Sequence, residues 1–255
     1  MTGKNNLNHL EMLGISIHMS PLEDMVSDAM QAIRGERPQV HFACANPHSL
    51  VTAKADNEFK AALDDSDLVV ADGTGVTLMA RLSSLPVPSR ITGHDFFTGL
   101  LDALNKQGKS RIFFFGSSDN VLQLITERFS SIYPNLEIAG VYSPPYRSWS
   151  QEENDEMIGI INDAHADILW VGMTAPKQEK WVFNNRTALN TPVIGSIGAV
   201  FDFVAGTHPR APDWMGTCGI EWLYRLVREP KRMWQRNMIS TPKFILSVLK
   251  ERLLS

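Results

Sequence analysis

The residue best placed to act as an acid or base is Asp72, which follows the apolar run from Leu68 to Ala71 and precedes Gly73. An aspartate that leaves a buried strand in this way has a partly desolvated carboxylate, and desolvation raises its proton affinity towards the working pH. This pattern is typical of a general base, but it also fits a cap on the next helix. Asp202 is placed similarly, after Phe201, and suits a ribose or uracil contact equally well.

Three other polar side chains belong to the same candidate set. Asn46 follows an apolar run and offers both a hydrogen-bond donor and an acceptor. Arg90 follows a proline-containing loop and has the planar guanidinium that forms paired hydrogen bonds with phosphate. Gln178 lies in the first turn of a helix predicted to open at Pro176. For each residue a ligand contact and ordinary surface polarity both remain open.

The end of the chain differs in charge from the rest. Residues 214 to 255 contain eight Lys or Arg against three Glu, whereas residues 1 to 213 contain sixteen against twenty-five Asp or Glu. The net charges are therefore +5 and −9. An acidic body with a basic, aromatic-rich end predicts contact with an anionic partner, either a membrane surface or a diphosphate, and argues against nucleic acid.

Four arginines in this basic segment have helical spacing. Arg225, Arg228, Arg232 and Arg236 follow one another at intervals of three, four and four residues, so a helix would place them on one face. Pro230 either breaks that helix or starts a second one. A further amphipathic stretch contains Phe244, Ile245, Val248, Leu249 and Leu253. Membrane attachment is one interpretation, and a solvated helix packed on the body is the other.

The sequence offers no convincing metal or disulfide site. Asp65 and Asp67 match the D-x-D pattern of many metal-dependent sugar-nucleotide enzymes, but they precede the apolar run and are expected at the opposite edge of the sheet. Cys44 and Cys218 are far apart and have no ligand spacing. The residues themselves therefore give no support for a metal or a disulfide.

Short apolar runs alternate with segments of helical spacing along most of the chain. The predicted strands cover residues 14–17, 40–44, 68–71, 111–115, 138–142, 167–171 and 192–197. The predicted helices cover residues 22–33, 48–63, 77–82, 96–104, 121–132, 153–164 and 177–189. This alternation predicts an α/β fold with a parallel sheet covered by helices on both faces.

Polar or glycine clusters follow several of these strands, including Asn46-Pro47, Asp72-Gly73 and Gly116-Ser117. In open α/β sheets the ligand crevice lies outside the carboxyl ends of the strands. Bare backbone N–H groups at Gly116 and Ser117 could approach a phosphate there. No single cluster is specific, and the prediction of a binding cleft depends on their sharing one edge.

The expected organisation is an α/β catalytic domain over residues 1–206 and a basic, amphipathic helical appendage over residues 207–255. The first ten residues lack a secretory signal, and no run of about 18 apolar residues occurs. We therefore expect a cytoplasmic protein, peripheral on the inner face of the plasma membrane. A homo-oligomer is compatible with the sequence but is not specified by it.

The chain resembles the WecG/TagA/CpsF family of bacterial glycosyltransferases, glycosyltransferase family 26, from about Gly14 to Asn237. The resemblance rests on Asn46-Pro47, Ala71-Asp72-Gly73-x-Gly75-Val76, Arg90-x-x-Gly93-x-Asp95, the run from Gly172 to Trp181, the run from Gly198 to Gly206, Arg210-Ala-Pro, and Glu221-Trp-Leu-Tyr-Arg-Leu-x-x-Glu-Pro-x-Arg232. It implies a Rossmann-like domain and an inverting, metal-independent enzyme. Such an enzyme moves a sugar, often N-acetylmannosamine or its uronic acid, from UDP to a polyprenyl-diphosphate-linked saccharide.

The resemblance also implies roles for individual residues. The catalytic base falls on Asp72, and the UDP-sugar contacts fall on Asn46, Arg90, Gln178 and Asp202. The arginines expected to meet the acceptor diphosphate are Arg225, Arg228 and Arg232. At Cys44 some members have a threonine, and because a thiol is larger and a weaker hydrogen-bond donor, we expect a changed contact to the sugar there.

Two rival functions remain at this stage. A UDP-sugar-modifying enzyme of the epimerase type would need no lipid acceptor and would leave the basic end unexplained. A non-enzymatic nucleotide-binding or scaffold protein would tolerate changes at Asp72. Neither the donor sugar nor the acceptor saccharide can be read from the residues.

Overall fold

The computed structural model describes residues 9–208, 215, 221–228, 230 and 234–254. Within these residues the protein is an α/β structure with eight strands in two sheets. The strands are β1 (His9–Met12), β2 (Ile15–His18), β3 (Val40–Ala45), β4 (Leu68–Ala71), β5 (Ser110–Gly116), β6 (Leu136–Tyr142), β7 (Ile168–Gly172) and β8 (Val193–Ser196).

Six strands form the main sheet, in the order β4-β3-β8-β7-β5-β6, and every pairing in it is parallel. The four strands at its centre, β3, β5, β7 and β8, are almost continuously buried, as expected when helices cover both faces. The predicted parallel α/β sheet is therefore confirmed. All of these strands end at one edge, which is where the polar clusters were expected.

The first predicted strand is an exception. Residues 15–18 form β2 of a separate two-stranded antiparallel sheet with β1. The two strands are joined by Leu13 and Gly14, both with positive φ, of 52° and 74°. Such a two-residue turn matches the twist of a hairpin and directs β2 back along β1. A leucine in this conformation is uncommon, which is why the sequence did not signal the hairpin.

Helices cover both faces of the main sheet. Their bounds are α1 (Leu22–Ile33), α2 (Pro47–Ala55), α3 (Asn57–Asp65), α4 (Thr74–Leu82), α5 (Gly93–Gln107), α6 (Asp119–Ile132), α7 (Gln151–Asp163), α8 (Lys177–Asn185), α9 (Val200–Ala205), α10 (Glu221–Arg228) and α11 (Thr241–Leu254). The predicted helix over residues 48–63 is divided in two at Asp56. The Asp56 carboxylate accepts a hydrogen bond from the Phe59 N–H, so this residue caps a new helix.

The C-terminal helix α11 packs on the body of the protein. Phe244 and Val248, one helical turn apart, are buried in the same cluster as Leu50 of α2 and Met79 of α4. A short π-helical segment, Gln235–Ser240, leads into α11. The Ser240 hydroxyl shares a hydrogen bond of 2.8 Å with the His48 ring. The predicted boundary at residue 206 remains a prediction, but α11 shares its core with the α/β body.

Candidate active site

The pairing of β3 with β4 places two of the predicted site residues beside each other. Ala45 lies opposite Ala71 in the register, and the Asp72 N–H donates to the Ala45 carbonyl at 2.9 Å. Asn46 and Asp72 therefore leave adjacent strands at the same edge. The Asn46 side chain caps α2 by accepting a hydrogen bond from the Ser49 N–H. This cap accounts for one atom of the amide and leaves its nitrogen for other contacts.

Two glycines shape the turn after Asp72. Gly73 has a φ of 88°, a conformation that residues with a side chain rarely adopt. A Cβ added at Gly75 would lie 2.6 Å from Cγ of Pro47, the first residue of α2. The absence of a side chain at Gly75 thus lets the first turns of α2 and α4 approach each other, which keeps Asn46 and Asp72 in one site.

A polar pocket opens at this edge of the sheet. It is lined by residues that follow β3, β4, β7 and β8, by the first turns of α5 and α8, and by Arg236 from the π-helical segment. Four predicted residues lie on its wall: Cys44, Asn46, Asp72 and Gln178. Asp72 is half-buried, the environment expected of a general base. The roles of these four residues stay predictions, although the structure brings them together.

The other predicted donor-binding residues lie outside the wall of this pocket. Gly116 and Ser117 are at the carboxyl end of β5, but the Ser117 N–H already donates to the Gly172 carbonyl at 2.9 Å. That N–H is therefore engaged in this conformation. Arg90 is two residues before the lining residue Thr92, and Asp202 lies in α9, next to the lining residue Phe203. Neither residue is among those that line the pocket, although both are close to lining residues in the sequence.

The predicted acceptor arginines are only partly described. Arg228 is exposed on α10, with its guanidinium carbon 5.5 Å from the centre of the Tyr224 ring. Arg225 lies on the same helix, but its side chain is outside the described part of the structure, as is all of Arg232. The fourth arginine of the spaced set, Arg236, lines the pocket. It was named in the basic segment but was not predicted to contact the acceptor.

The D-x-D pair lies at the opposite edge of the sheet, as predicted. Asp65 and Asp67 both form ion pairs with Arg186, and the Asp67 carboxylate also accepts a hydrogen bond from the His41 N–H. These carboxylates thus fix α3 and β4 to the segment that follows α8. Among the described residues no cluster of three or more His, Cys, Asp or Glu forms a cation site.

Sequence reasoning missed Glu179, which lines the pocket beside Gln178. Glu179 is only 1% exposed. Its Oε1 accepts a hydrogen bond from the Gln178 amide at 2.9 Å, whereas its Oε2 is buried and has no hydrogen-bond partner. Burial raises the pKa of Glu179 to about 7, despite the opposing effects of the Gln178 amide, its own backbone N–H and Arg236. The sequence places Glu179 beside Gln178 in a predicted first turn, but nothing local distinguishes it from a solvated glutamate.

The pocket also changes the ionisation of two neighbours. Burial raises the pKa of the Cys44 thiol, and the negative charge of Asp72 adds to this effect. The thiol therefore stays protonated and is not a nucleophile at neutral pH. Burial lowers the pKa of His48, and Arg236 lowers it further. Both effects favour a neutral imidazole beside the π-helical segment.

The raised pKa of Glu179 predicts a specific dependence of stability on pH. Because the folded protein holds this proton up to about pH 7 and the unfolded chain releases it near 4.5, stability falls as pH rises between these values. The loss approaches about 3 kcal/mol in the free energy of unfolding. Glu179→Gln should remove this loss, so its stability relative to the wild type should increase between pH 4.5 and 7.5.

Urea unfolding at both pH values measures this difference. Glu156→Gln, at an exposed position of α7, controls for the loss of one carboxyl group. A stability difference between Glu179→Gln and the wild type that is the same at both pH values would show that Glu179 does not retain its proton on folding.

The parallel sheet and the pocket at its carboxyl edge define a Rossmann-like α/β protein with a polar ligand site. A family model described as "Glycosyl transferase WecG/TagA/CpsF family" matches residues 10–255. The chain belongs to this family, and it is a glycosyltransferase that acts on a sugar donor.

Curated relatives agree with this assignment. The chain is 38% identical to a Bacillus subtilis (strain 168) protein over 82% of this chain and 79% of the relative. It is 33% identical to a Bacillus spizizenii protein over 91% of this chain and 87% of the relative. The chain is 23% identical to a Staphylococcus aureus (strain MW2) protein over 98% of this chain and 95% of the relative. All three are named N-acetylglucosaminyldiphosphoundecaprenol N-acetyl-beta-D-mannosaminyltransferase.

Proposed function

We propose that this protein transfers a sugar, N-acetylmannosamine or a related hexose, from UDP to a saccharide linked to polyprenyl diphosphate. The observation that carries the proposal is the half-buried Asp72 in a pocket shared with Asn46 and Gln178. The names of the relatives support the lipid-linked acceptor and the N-acetylmannosaminyl group. The product would enter the synthesis of a bacterial cell-surface polysaccharide.

Asp72 acts as the general base in the proposed mechanism. It takes the proton from an acceptor hydroxyl while that oxygen attacks the anomeric carbon from the face opposite UDP. The carbon–oxygen bond to UDP breaks as the new bond forms, so the configuration of the anomeric carbon inverts. Asp72 suits this step because it is partly desolvated yet still reaches the open pocket.

The leaving UDP develops negative charge, which fixed cations and hydrogen-bond donors must stabilise. Arg236 on the pocket wall and Arg90 beside it are our candidates, together with Arg225, Arg228 and Arg232 for the acceptor diphosphate. The Ser117 N–H contributes only if its bond to Gly172 opens. We propose that these groups suffice without a metal ion.

The outer face of α11 supports attachment to an anionic membrane surface. Leu246 and Leu249 are exposed on this helix, with Lys243 and Lys250 also exposed nearby. Apolar side chains flanked by lysines are typical of helices that lie in a membrane interface. None of the described helices is long and apolar enough to cross a bilayer.

A transfer assay tests the proposal. Purified protein is incubated with a panel of UDP-sugars and with N-acetylglucosaminyl-diphosphoundecaprenol in anionic vesicles, and products are identified by mass. We expect UDP release that depends on the lipid acceptor, and sedimentation of the protein with anionic but not neutral vesicles. Conversion of a UDP-sugar without acceptor would instead support the rival epimerase-type function.

A further inference from the structure

Gln178 and Glu179 form a buried polar pair, of which the proposed mechanism leaves Glu179 unused. They are 4% and 1% exposed and are linked to each other by one hydrogen bond. The other oxygen of each side chain, Oε1 of Gln178 and Oε2 of Glu179, is buried without a hydrogen-bond partner. Leaving two buried polar atoms unpaired costs stability, so their persistence on the wall of a pocket points to a ligand that pairs with them.

We propose that Glu179, as a neutral carboxylic acid, donates a hydrogen bond to the sugar ring of the bound donor and so determines which sugars are accepted. This inference rests on the proposed function and adds a specificity-determining residue to it. Gln178 Oε1 would accept a hydrogen bond from the same sugar. Together the two residues match a substituent that both donates and accepts, namely a hydroxyl or an acetamido group.

The position of Glu179 favours the sugar over the uridine. Cys44, Asp72 and Glu179 all line the same pocket. Asp72 is the proposed base and must approach the anomeric carbon. Glu179 lines the same pocket as this base and is therefore placed to contact the ring that carries this carbon.

The surrounding charges are consistent with a neutral acid. Among the described residues, the titratable and charged groups around this part of the pocket are Cys44, Asp72, His94, Asp95 and Arg236, with His48 influenced by Arg236. Burial raises the pKa of Glu179 more than Arg236 lowers it. A neutral Glu179 can donate a hydrogen bond and does not repel the donor diphosphate. An ionised Glu179 cannot donate and would repel the diphosphate.

Calorimetric titration with UDP and with UDP-sugars tests the proposal. Glu179→Ala should weaken binding of UDP-N-acetylmannosamine about tenfold, because one hydrogen bond is lost, and should change binding of UDP by less than about twofold. Comparison with UDP-mannose distinguishes the two substituents. If Glu179 contacts the acetamido group, the variant should bind UDP-mannose as the wild type does. If Glu179 contacts a ring hydroxyl, the variant should bind both UDP-sugars more weakly than the wild type does.

The pH dependence gives a second readout. Wild-type binding of the UDP-sugar should weaken between pH 6 and pH 8.5 as Glu179 ionises, although the diphosphate diester keeps a constant charge over this range. Glu179→Gln preserves the volume and donates at every pH, so its binding should not show this decline. Glu156→Gln, on the exposed face of α7, should retain the wild-type profile.

Equal weakening of UDP and UDP-sugar binding in Glu179→Ala would overturn the assignment to the sugar. If UDP-sugar binding by Glu179→Gln declined with pH as it does in the wild type, the role of the neutral acid would be overturned. If the wild type transfers sugar and these variants behave as it does, only this inference fails. If the wild type binds no UDP-sugar, the proposed function fails with it.

Discussion

Asp72→Asn should lower the rate of sugar transfer by roughly a hundred- to ten-thousand-fold, the contribution that a general base typically makes. Asparagine has nearly the same shape as aspartate but cannot accept the acceptor proton at neutral pH. Binding of UDP should change little, because the residue acts on the acceptor hydroxyl in the proposed mechanism. Initial rates with the lipid-linked acceptor, together with calorimetric UDP binding, measure the two effects separately.

Asp65→Asn is the matched control for this experiment. Asp65 belongs to the D-x-D pair at the opposite edge of the sheet, where its carboxylate oxygen lies 3.1 Å from Nη1 of Arg186. This variant should retain transfer activity, since the ion pair is half-exposed and far from the pocket edge. Full transfer activity of Asp72→Asn would refute the assignment of Asp72 as the base. Complete loss of transfer activity in Asp65→Asn would require a role for the D-x-D pair in the reaction.

Phe244→Ala should lower the free energy of unfolding by about 3–5 kcal/mol, the usual cost of removing a fully buried aromatic ring. Phe244 is completely buried between α11 and the body, in the cluster that includes Met79 of α4. Its loss would leave a cavity where α11 meets the helix that follows Asp72. Urea unfolding followed by circular dichroism measures this change.

Leu246→Ala on the same helix is the control, because Leu246 is 67% exposed. Its free energy of unfolding should stay within about 0.5 kcal/mol of the wild type. The same variant should instead weaken vesicle binding if the outer face of α11 meets lipid. Equal destabilisation by both substitutions would show that α11 does not pack with Phe244 inward.

The sheet and much of the pocket were predictable from the sequence because buried parallel strands are continuous apolar runs. Residues that directly follow such strands, such as Asn46 and Asp72, must meet at one edge. The first predicted strand was assigned to the wrong sheet, since its hairpin depends on Leu13, a residue without a strong turn preference. Local patterns specify the strand but not the turn that redirects it.

Two features of the site could not be read from the chain. Glu179 is polar and sits in a helical first turn, where a glutamate is ordinarily a solvated residue near the helix dipole. Its burial results from long-range packing of α8 under the pocket. Arg236 reaches the pocket through a π-helical segment, and no local signal predicts where such a segment directs its side chains.

The π-helical segment also connects Arg236 in the pocket to the packing of α11 on the body. Only four residues separate Arg236, which lines the pocket, from Thr241, the first residue of α11. One of these four, Ser240, is hydrogen-bonded to the His48 ring. We therefore expect a shift of α11 against the body to move this cation. If the packing of α11 affects substrate binding through Arg236, then by thermodynamic reciprocity a substrate that binds Arg236 also stabilises the packing of α11 on the body. If α11 meets the membrane as proposed, membrane binding and substrate binding should then strengthen each other.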